Sequence, residues 1–398
     1  EIMLPEDACP DDKRPVTFLK KRLRDIDAVT NDASIIWFGV NVGCAKCHDH
    51  PLVDDWKQAH YYGMASFFKR TFETKKGMLG ERFDGRLKYT TTDGDQLDAD
   101  FMFLTGAKIP EPESKLAADK LKEFQEAIKK SEKDDKADPP PKPEFRPRAR
   151  LVDVALSDSE SRFFAKNIVN RVWARLFGRG LVHPLDQMHS ENPPSHPELL
   201  AKLSEDFIAH RYDLKRLIHA LVLSNAYARK THDAGSTLDP ELFAAARPRP
   251  LSPHQLSLSC RVATSHPRQL LGLASPEPWN EKRIALEQQS EGFAKQFEIP
   301  SADFQVPITE ALWFSNNPSV QRDLLGSGRD KLVGYLNDFD SDSEIVIRAC
   351  RAILSRPPNA DEHAMLSEYL AARSDRREQA IGQMIWALVS SPEFRFNH

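Results

Sequence analysis

Residues 163–177 read FFAKNIVNRVWARLF. Their apolar members recur at the spacing that places them on one face of a helix, and Gly178 follows as a stop signal. These apolar residues are Phe163, Phe164, Ile168, Val172, Trp173, Leu176 and Phe177. The spacing predicts a helix buried in a helical bundle, with the wall of a cofactor pocket as the alternative.

Helix signals continue from this stretch to the end of the chain, and no strand pattern interrupts them. Towards the N-terminus, residues 138–143 (DPPPKP) form a stiff extended connector, which follows a highly charged helix over residues 111–136. Residues 86–92 and 96–104 are predicted strands that a TDGD turn joins into a hairpin. Residues 16–72 again have a helical pattern.

We therefore predict a mainly α-helical protein in four segments. Residues 1–80 carry the motif described below, and residues 81–110 form a small β insert. The charged helix and the Pro-rich connector occupy residues 111–147, and residues 148–398 form an all-α helical domain. A chain of 398 residues has room for more than one domain and for a buried prosthetic group.

The composition argues against two classes of protein. The net charge is -4, and Lys and Arg are scattered among Asp and Glu, which disfavours binding to nucleic acid. No apolar run reaches the roughly 18 residues of a membrane span, so none is expected in this chain. Because the chain begins at Glu1 and has no signal peptide, we expect a processed product or part of a longer precursor.

Residues 44–48 read Cys44-Ala45-Lys46-Cys47-His48, which is the CxxCH spacing of covalent haem attachment. In such a motif the thiols form thioethers with the two vinyl groups of the porphyrin, and the next imidazole binds the iron. We therefore predict one covalent haem c on Cys44 and Cys47, with His48 as the proximal iron ligand. The other ring nitrogen of His48 then needs a carbonyl or carboxylate acceptor, which fixes the tautomer.

Three alternatives exist for this motif. The first is zinc bound by Cys44, Cys47, His48 and His50, although four ligands within seven residues rarely surround one tetrahedral ion. The second is a thiol–disulfide pair at a helix N-terminus, although no βαβ pattern accompanies it. The third is an inert structural role.

Several side chains are candidates for the distal iron ligand. His60 and Met64 lie four residues apart on one face of a predicted helix. Candidates in the second half of the chain are His183, Met188, His189 and His196. An open, five-coordinate iron is a further alternative. His50 cannot reach the iron from the same face as His48, so its functional role would be a hydrogen bond to a propionate or a substrate, and the alternative is a turn-stabilising side chain.

The rest of the chain offers little recognisable chemistry. Cys9, Cys260 and Cys350 are far apart in sequence, which favours buried thiols over a disulfide framework and leaves one bridge as an alternative. No Ser-His-Asp order, phosphate-binding glycine loop or HExxH motif is present. Whether the protein is an enzyme therefore stays undecided at the level of sequence.

Several segments resemble a pair of planctomycete-type domains. Residues 31–34 (NDAS) and 39–51 (GVNVGCAKCHDHP), together with Trp56, 61–63 and 67–68, are similar to the end of a cytochrome c-like domain of unassigned function. Segments similar to its usual helical companion domain are 167–173, 176–182, 192–200, 354–358 and 387–398.

The resemblance implies a haem-binding protein outside the cytoplasm, where bacteria attach haem to CxxCH motifs. The family's cytochrome-like domain has further helices before this motif, which implies that part of the haem surroundings is either missing here or supplied by another polypeptide. We therefore expect extracytoplasmic, for example periplasmic, electron transfer to a redox partner protein. The alternatives are a haem-dependent oxidoreductase acting on an exported, carbohydrate-like substrate, and a helical interaction scaffold with a structural haem or zinc.

Overall fold

The computed structural model divides the chain into two units, Glu1–Ala246 and Arg247–His398. It describes residues 14–51, 53–113, 116–157, 159, 161–231, 239–269, 276–298 and 306–397. The protein is mainly helical, with small antiparallel hairpins, as the sequence predicts. In the described part of the chain, no helix has both the length and the apolar composition needed to cross a membrane.

The first unit is built around eight α-helices within its described residues. They are α1 (Arg14–Lys20), α2 (Ile26–Ala33), α3 (Gln58–Lys69), α4 (Ala118–Lys133), α5 (Pro147–Ser157), α6 (Phe163–Phe177), α7 (Pro197–Ala209) and α8 (Leu214–Val222). Shorter helical turns are the π-helix Ser34–Phe38 and the 3₁₀-helices Gly43–Lys46 and Pro240–Leu242. Strands of this unit are β1 (Thr71–Glu73), β2 (Leu79–Glu81), β3 (Lys88–Thr90), β4 (Gln96–Asp98), β5 (Phe101–Met102) and β6 (Lys108–Ile109).

The predicted hairpin is present, but its strands are shorter than expected. β3 and β4 pair antiparallel, with Tyr89 opposite Leu97. Gly94 occupies the turn with a φ of 92°, a conformation that glycine adopts without strain. The predicted second strand over 96–104 is in fact interrupted after Asp98, and β5 turns back to pair with β6 instead.

The helix predicted up to residue 72 ends earlier, because a hairpin begins there. α3 ends at Lys69, and Phe72 pairs with Gly80 across β1 and β2. The Phe72 ring occupies the space beside Gly80, where an added Cβ would lie 2.7 Å from the ring. A glycine is therefore required opposite this aromatic side chain, a relationship that the helical pattern around Phe72 does not indicate.

The core of the first unit draws on both sides of the predicted domain boundary at residue 147. Met64 and Phe67 from α3 belong to the same apolar cluster as Leu151 from α5 and Val169 from α6. The Pro-rich connector also lies within this unit, since a Cβ on Gly80 would approach the Pro140 ring to 3.3 Å. The division between structural units falls after residue 246.

The second unit is a helical cluster that surrounds two central helices. Its helices are α9 (Pro253–Ala263), α10 (Pro276–Ala294), α11 (Ile308–Asn316), α12 (Pro318–Asp323), α13 (Leu332–Asn337), α14 (Asp342–Leu354), α15 (Ala360–Ala371), α16 (Arg377–Val389) and α17 (Pro392–Arg395), with 3₁₀ turns at Pro267–Gln269 and Ser374–Arg376. Ile345 and Val346 of α14 pack with Ile381 and Ile385 of α16 in its core. One two-residue antiparallel pair, β7 (Arg249–Pro250) with β8 (Phe396–Asn397), departs from the predicted all-α domain.

Candidate functional site

The CxxCH motif forms a surface turn that presents both of its thiols. Cys44 lies in the 3₁₀-helix Gly43–Lys46, Cys47 follows directly, and both thiols are free and exposed. Ala45 between them is fully buried in the core of the first unit. The short methyl side chain thus anchors the turn, and the two thiols on either side of it face outward.

His48 is held in one tautomer by its own neighbour. Its Nδ1 lies 2.7 Å from the carbonyl oxygen of Asp49. A carbonyl can only accept a hydrogen bond, so Nδ1 carries a proton, and in the neutral imidazole the lone pair is then on Nε2. The acceptor that a metal-binding imidazole needs on its second nitrogen is therefore present, and the ring itself is exposed.

Gln58, which is 7% exposed, connects the CxxCH turn with helix α3 and with the β3–β4 hairpin. Its Nε2 donates to the Lys46 carbonyl at 3.3 Å, and its backbone N–H donates to Asp49 Oδ1 at 2.9 Å. Its Oε1 accepts from the Thr92 backbone N–H at 3.3 Å, in the turn of the β3–β4 hairpin. One amide side chain thus links the motif, helix α3 and the β insert.

Lys46, inside the motif, is paired with Asp27 on helix α2, and Tyr61 donates its hydroxyl to the same carboxylate. Burial alone would raise the pKa of Asp27, but the hydrogen bonds from Lys46 and Tyr61 outweigh it and lower that pKa. The same hydrogen bond, which Lys46 donates to Asp27, raises the pKa of Lys46. The ion pair therefore persists at neutral pH and fixes the motif to α2.

Helix α6 holds the segment that leads into the motif. Asn167, which is fully buried, donates its Nδ2 to the Ile36 carbonyl at 2.8 Å. Arg171 donates to the Ile35 carbonyl at 2.6 Å and to Asn167 Oδ1 at 3.0 Å. The Asn167 bond gives the Ile36 carbonyl of the π-helix Ser34–Phe38 a donor, and the Arg171 bond is a second one on the Ile35 carbonyl, which also accepts the Gly39 N–H at 3.1 Å.

This role of α6 is not apparent from its apolar stripe, which is the only feature of the helix used in the prediction above. The available signal was the set of polar residues within that stripe, since amides and guanidinium groups are rarely buried without partners. Asn170 is another member of the set, and its side chain both donates to the Val182 carbonyl and accepts from the Val182 N–H.

The loop after α6 lies along the CxxCH segment. The Asn41 N–H donates to the Asp186 carbonyl at 2.9 Å, and the Met188 N–H donates to the Gly39 carbonyl at 3.0 Å. On the other side of the motif, Asp55 accepts from both the backbone N–H and the hydroxyl of Ser190, each at 2.8 Å. The loop that carries the predicted candidates His183, Met188, His189 and His196 thus borders the motif on both sides.

His189, in that loop, has one ring nitrogen without a hydrogen-bond partner in the described part of the chain. Its Nε2 donates to Gln187 Oε1 at 3.2 Å, and its buried Nδ1 has no hydrogen-bond partner among the described residues. Burial lowers the pKa of His189, and nearby His50 lowers it further, while Asp55 opposes the shift. A neutral imidazole with a free Nδ1 lone pair therefore lies close to His50.

His60 and Met64, the candidate distal ligands on α3, differ from His189 in the groups that they present. His60 accepts the Lys57 backbone N–H on Nδ1 at 3.1 Å, so its proton is on Nε2, and burial keeps the ring neutral by lowering its pKa. Met64 is completely buried in the core of the first unit. In this conformation neither side chain offers a lone pair at the protein surface, and distal ligation by either stays a prediction.

His50, half-buried, closes the loop after the motif through its backbone, whose N–H donates to the Trp56 carbonyl at 2.8 Å. Its predicted bond to a propionate or substrate stays a prediction. Of the remaining thiols, Cys260 and Cys350 are buried and free, as predicted, whereas Cys9 lies outside the described residues. Burial raises the pKa of Cys260 to about 12, so this thiol stays protonated.

The side chains of the motif differ in how well they fit the two predicted cofactors, zinc and haem. Across the described residues, no three His, Cys, Asp or Glu side chains are arranged to hold one metal ion, so zinc would require the turn to rearrange. Two exposed free thiols three residues apart, followed by an imidazole with a free Nε2, fit the requirements of covalent haem.

Two family models match the chain. Residues 8–73 match the model described as PSCyt2, a protein of unknown function (DUF1549), and residues 147–299 match PSD1, a protein of unknown function (DUF1553). These are the planctomycete-type pair of domains that the sequence resembles. A search of curated proteins found no match. A search of solved structures found none either.

Proposed function

We propose that this protein carries one covalent haem c on Cys44 and Cys47, with His48 as the proximal ligand, and transfers electrons outside the cytoplasm. The observation that carries the proposal is the tautomer of His48, whose Nδ1 is bonded to the Asp49 carbonyl while Nε2 stays free. This is the arrangement that an iron-binding imidazole requires.

The exposure of the two thiols supports attachment. Each S–H would add across one vinyl C=C bond, forming one S–C bond and one C–H bond, so the step needs no leaving group. Because Cys44 and Cys47 are both free and exposed, the porphyrin edge can reach them without unfolding of the turn. The buried Ala45 keeps the turn in place during this reaction.

The surroundings of the motif suit a fixed ligand set. Bound haem would supply a one-electron iron couple, whose potential depends on ligands, burial and hydrogen bonds. Gln58 binds Lys46 and Asp49, on either side of Cys47 and His48, and Asp27 also binds Lys46, so His48 keeps its orientation when the charge at the site changes. An exposed position also lets a redox partner protein approach the site directly.

The test is expression of the full chain in a host that ligates haem, followed by a pyridine haemochrome spectrum of the denatured protein. We expect one covalent haem per chain. The variant Cys44→Ser/Cys47→Ser should lose it, whereas the matched control Cys260→Ala/Cys350→Ala should retain it. A colourless protein with one zinc per chain, or attachment that survives the Cys44→Ser/Cys47→Ser change, would refute the proposal.

A second candidate function is haem-dependent oxidation or reduction of an exported substrate. It is favoured by the arrangement of His60 and Met64, neither of which presents a lone pair at the surface in this conformation. A protein without a distal side-chain ligand would leave one iron position open to substrate. A high-spin spectrum and rapid CO binding by the reduced protein would favour this function, and a low-spin spectrum without CO binding would favour electron transfer.

A further inference from the structure

The second unit contains a groove of about 520 Å³ between the end of α9, helix α13 and one face of α14. Val262, Ile347 and Ala352 form its apolar wall, and Tyr335, Arg348 and Arg351 supply its polar groups, together with the Glu344 carboxylate. Its volume falls within the range of about 300–1,000 Å³ that is usual for small-molecule pockets.

The Arg348 charge is already neutralised. Its guanidinium donates to Glu344 Oε1 at 2.6 and 2.9 Å, and to the Tyr335 hydroxyl oxygen at 2.7 Å. It also lies over the Phe339 ring, 4.2 Å from the centroid. These contacts lock Arg348 in one position, so it shapes the groove and holds Tyr335 rather than serving as a free cation.

Arg351 differs from Arg348 in this respect. It follows Arg348 by three positions on α14, which places the two on one helix face, and it is exposed. No carboxylate pairs with Arg351 among the residues that the structure describes. With Glu344 and Arg348 cancelling each other, the groove carries one uncompensated positive charge.

The Tyr335 hydroxyl adds a neutral donor. Its oxygen accepts from Arg348, so the hydroxyl proton is free to point elsewhere. His266 packs against the Tyr335 ring at 4.9 Å between centroids and, with Arg348, limits the motion of that ring. A donor and a cation therefore line the same groove as an apolar wall.

We propose that this groove binds a small carboxylic acid with an apolar body. The carboxylate would pair with Arg351 and accept from the Tyr335 hydroxyl, and the aliphatic or aromatic body would lie on Val262, Ile347 and Ala352. The volume suits a molecule of this size better than an extended peptide. This site lies in the second unit and does not depend on the haem proposal.

The experiment is calorimetric titration of the full chain with octanoate and 4-phenylbutyrate, and with octanol as the uncharged counterpart. We expect both acids to bind with one site per chain and octanol to bind at least about tenfold more weakly. Arg351→Gln should weaken binding of the acids by about tenfold, and the control Arg376→Gln, which changes another exposed arginine of this unit, should leave it unchanged.

A second variant tests the apolar wall independently of charge. Ala352→Phe should fill the groove and abolish binding, with thermal unfolding as the check that the variant is folded. Equal binding of octanol and octanoate, or an Arg351→Gln variant with normal affinity, would overturn the proposal. So would binding of a peptide with a free C-terminal leucine by a protein that binds neither acid, because the groove would then recognise a chain terminus.

Discussion

Asn167 donates its side-chain amide to the main-chain carbonyl of Ile36 at 2.8 Å, across 131 positions of sequence. Asn167 belongs to the segment that matches one family model, and Ile36 belongs to the segment that matches the other. The Asn167 side chain is fully buried, so its amide would be left without this partner away from water if the bond were broken. The two matched segments therefore depend on each other at the place where the chain approaches Cys44.

Replacing Asn167 with Ala should destabilise the first unit. The change leaves the Ile36 carbonyl and the Arg171 Nε without their partner, which is expected to lower the free energy of unfolding by about 2–3 kcal/mol. Denaturant titration measures this loss, and the exposed Asn280→Ala is the control. A loss below about 0.5 kcal/mol for Asn167→Ala would show that the bond does not hold the segment.

The segment that carries CxxCH should not fold on its own. Its core residues Phe38 and Met64 share one cluster with Leu151, Val169 and Trp173, which lie beyond the predicted boundary at residue 147. We expect a fragment of residues 1–80 to lack cooperative thermal unfolding by circular dichroism, and a fragment of residues 1–246 to show it. Cooperative unfolding of the shorter fragment would mean that this shared cluster is dispensable.

Local features of the fold could be predicted where one short pattern determines them. The turn with Gly94 and the stop at Gly178 each depend on a few adjacent residues. Features that depend on residues far away in the sequence could not be predicted. The hairpin at Phe72 depends on a glycine eight positions away, and the roles of Asn167 and Arg171 depend on carbonyl groups more than a hundred positions away.

In the candidate site, too, local features could be predicted and long-range ones could not. The acceptor for His48 is the next residue, so it could be anticipated from the requirements of an iron-binding imidazole. The position of His189 near His50 and Asp55 could not be anticipated, because it follows from backbone pairing of residues 186–188 with residues 39–41. Long-range backbone pairing of this kind leaves no periodic signal in a single sequence.

The second unit should lose stability in acid because of Glu362. This carboxylate accepts two bonds from Arg356 at 2.8 Å and one from the Asn359 N–H, also at 2.8 Å, and the Arg356 bonds chiefly lower its pKa to about 2. Since the ordinary value is 4.5, its stabilisation is complete above that pH and disappears as the pH falls towards 2.

The matching experiment compares Glu362→Gln with the native chain by denaturant titration from pH 2 to pH 7. We expect the variant to be less stable by about 1 kcal/mol at pH 7, because solvent screens this partly exposed pair, and equally stable near pH 2. Glu368→Gln, on the exposed side of the same helix, is the control. A constant difference at every pH would assign the effect to packing instead of charge.

Gly39 determines how closely α6 approaches the segment before the motif. Its φ of 70° is unfavourable for other residues, and an added Cβ would lie 2.7 Å from Asn167 Oδ1. Gly39→Ala should therefore lower the free energy of unfolding by about 1–3 kcal/mol, through backbone strain and displacement of the Asn167 amide. Gly292→Ala is the control, because it lies in helix α10 with open space around it and should be neutral or slightly stabilising. If denaturant titration gave both variants the same free energy of unfolding, the close approach at Gly39 would have no energetic role. A loss of stability in Gly39→Ala alone, accompanied by a lower haem content, would link the packing of α6 to the presentation of Cys44 and Cys47.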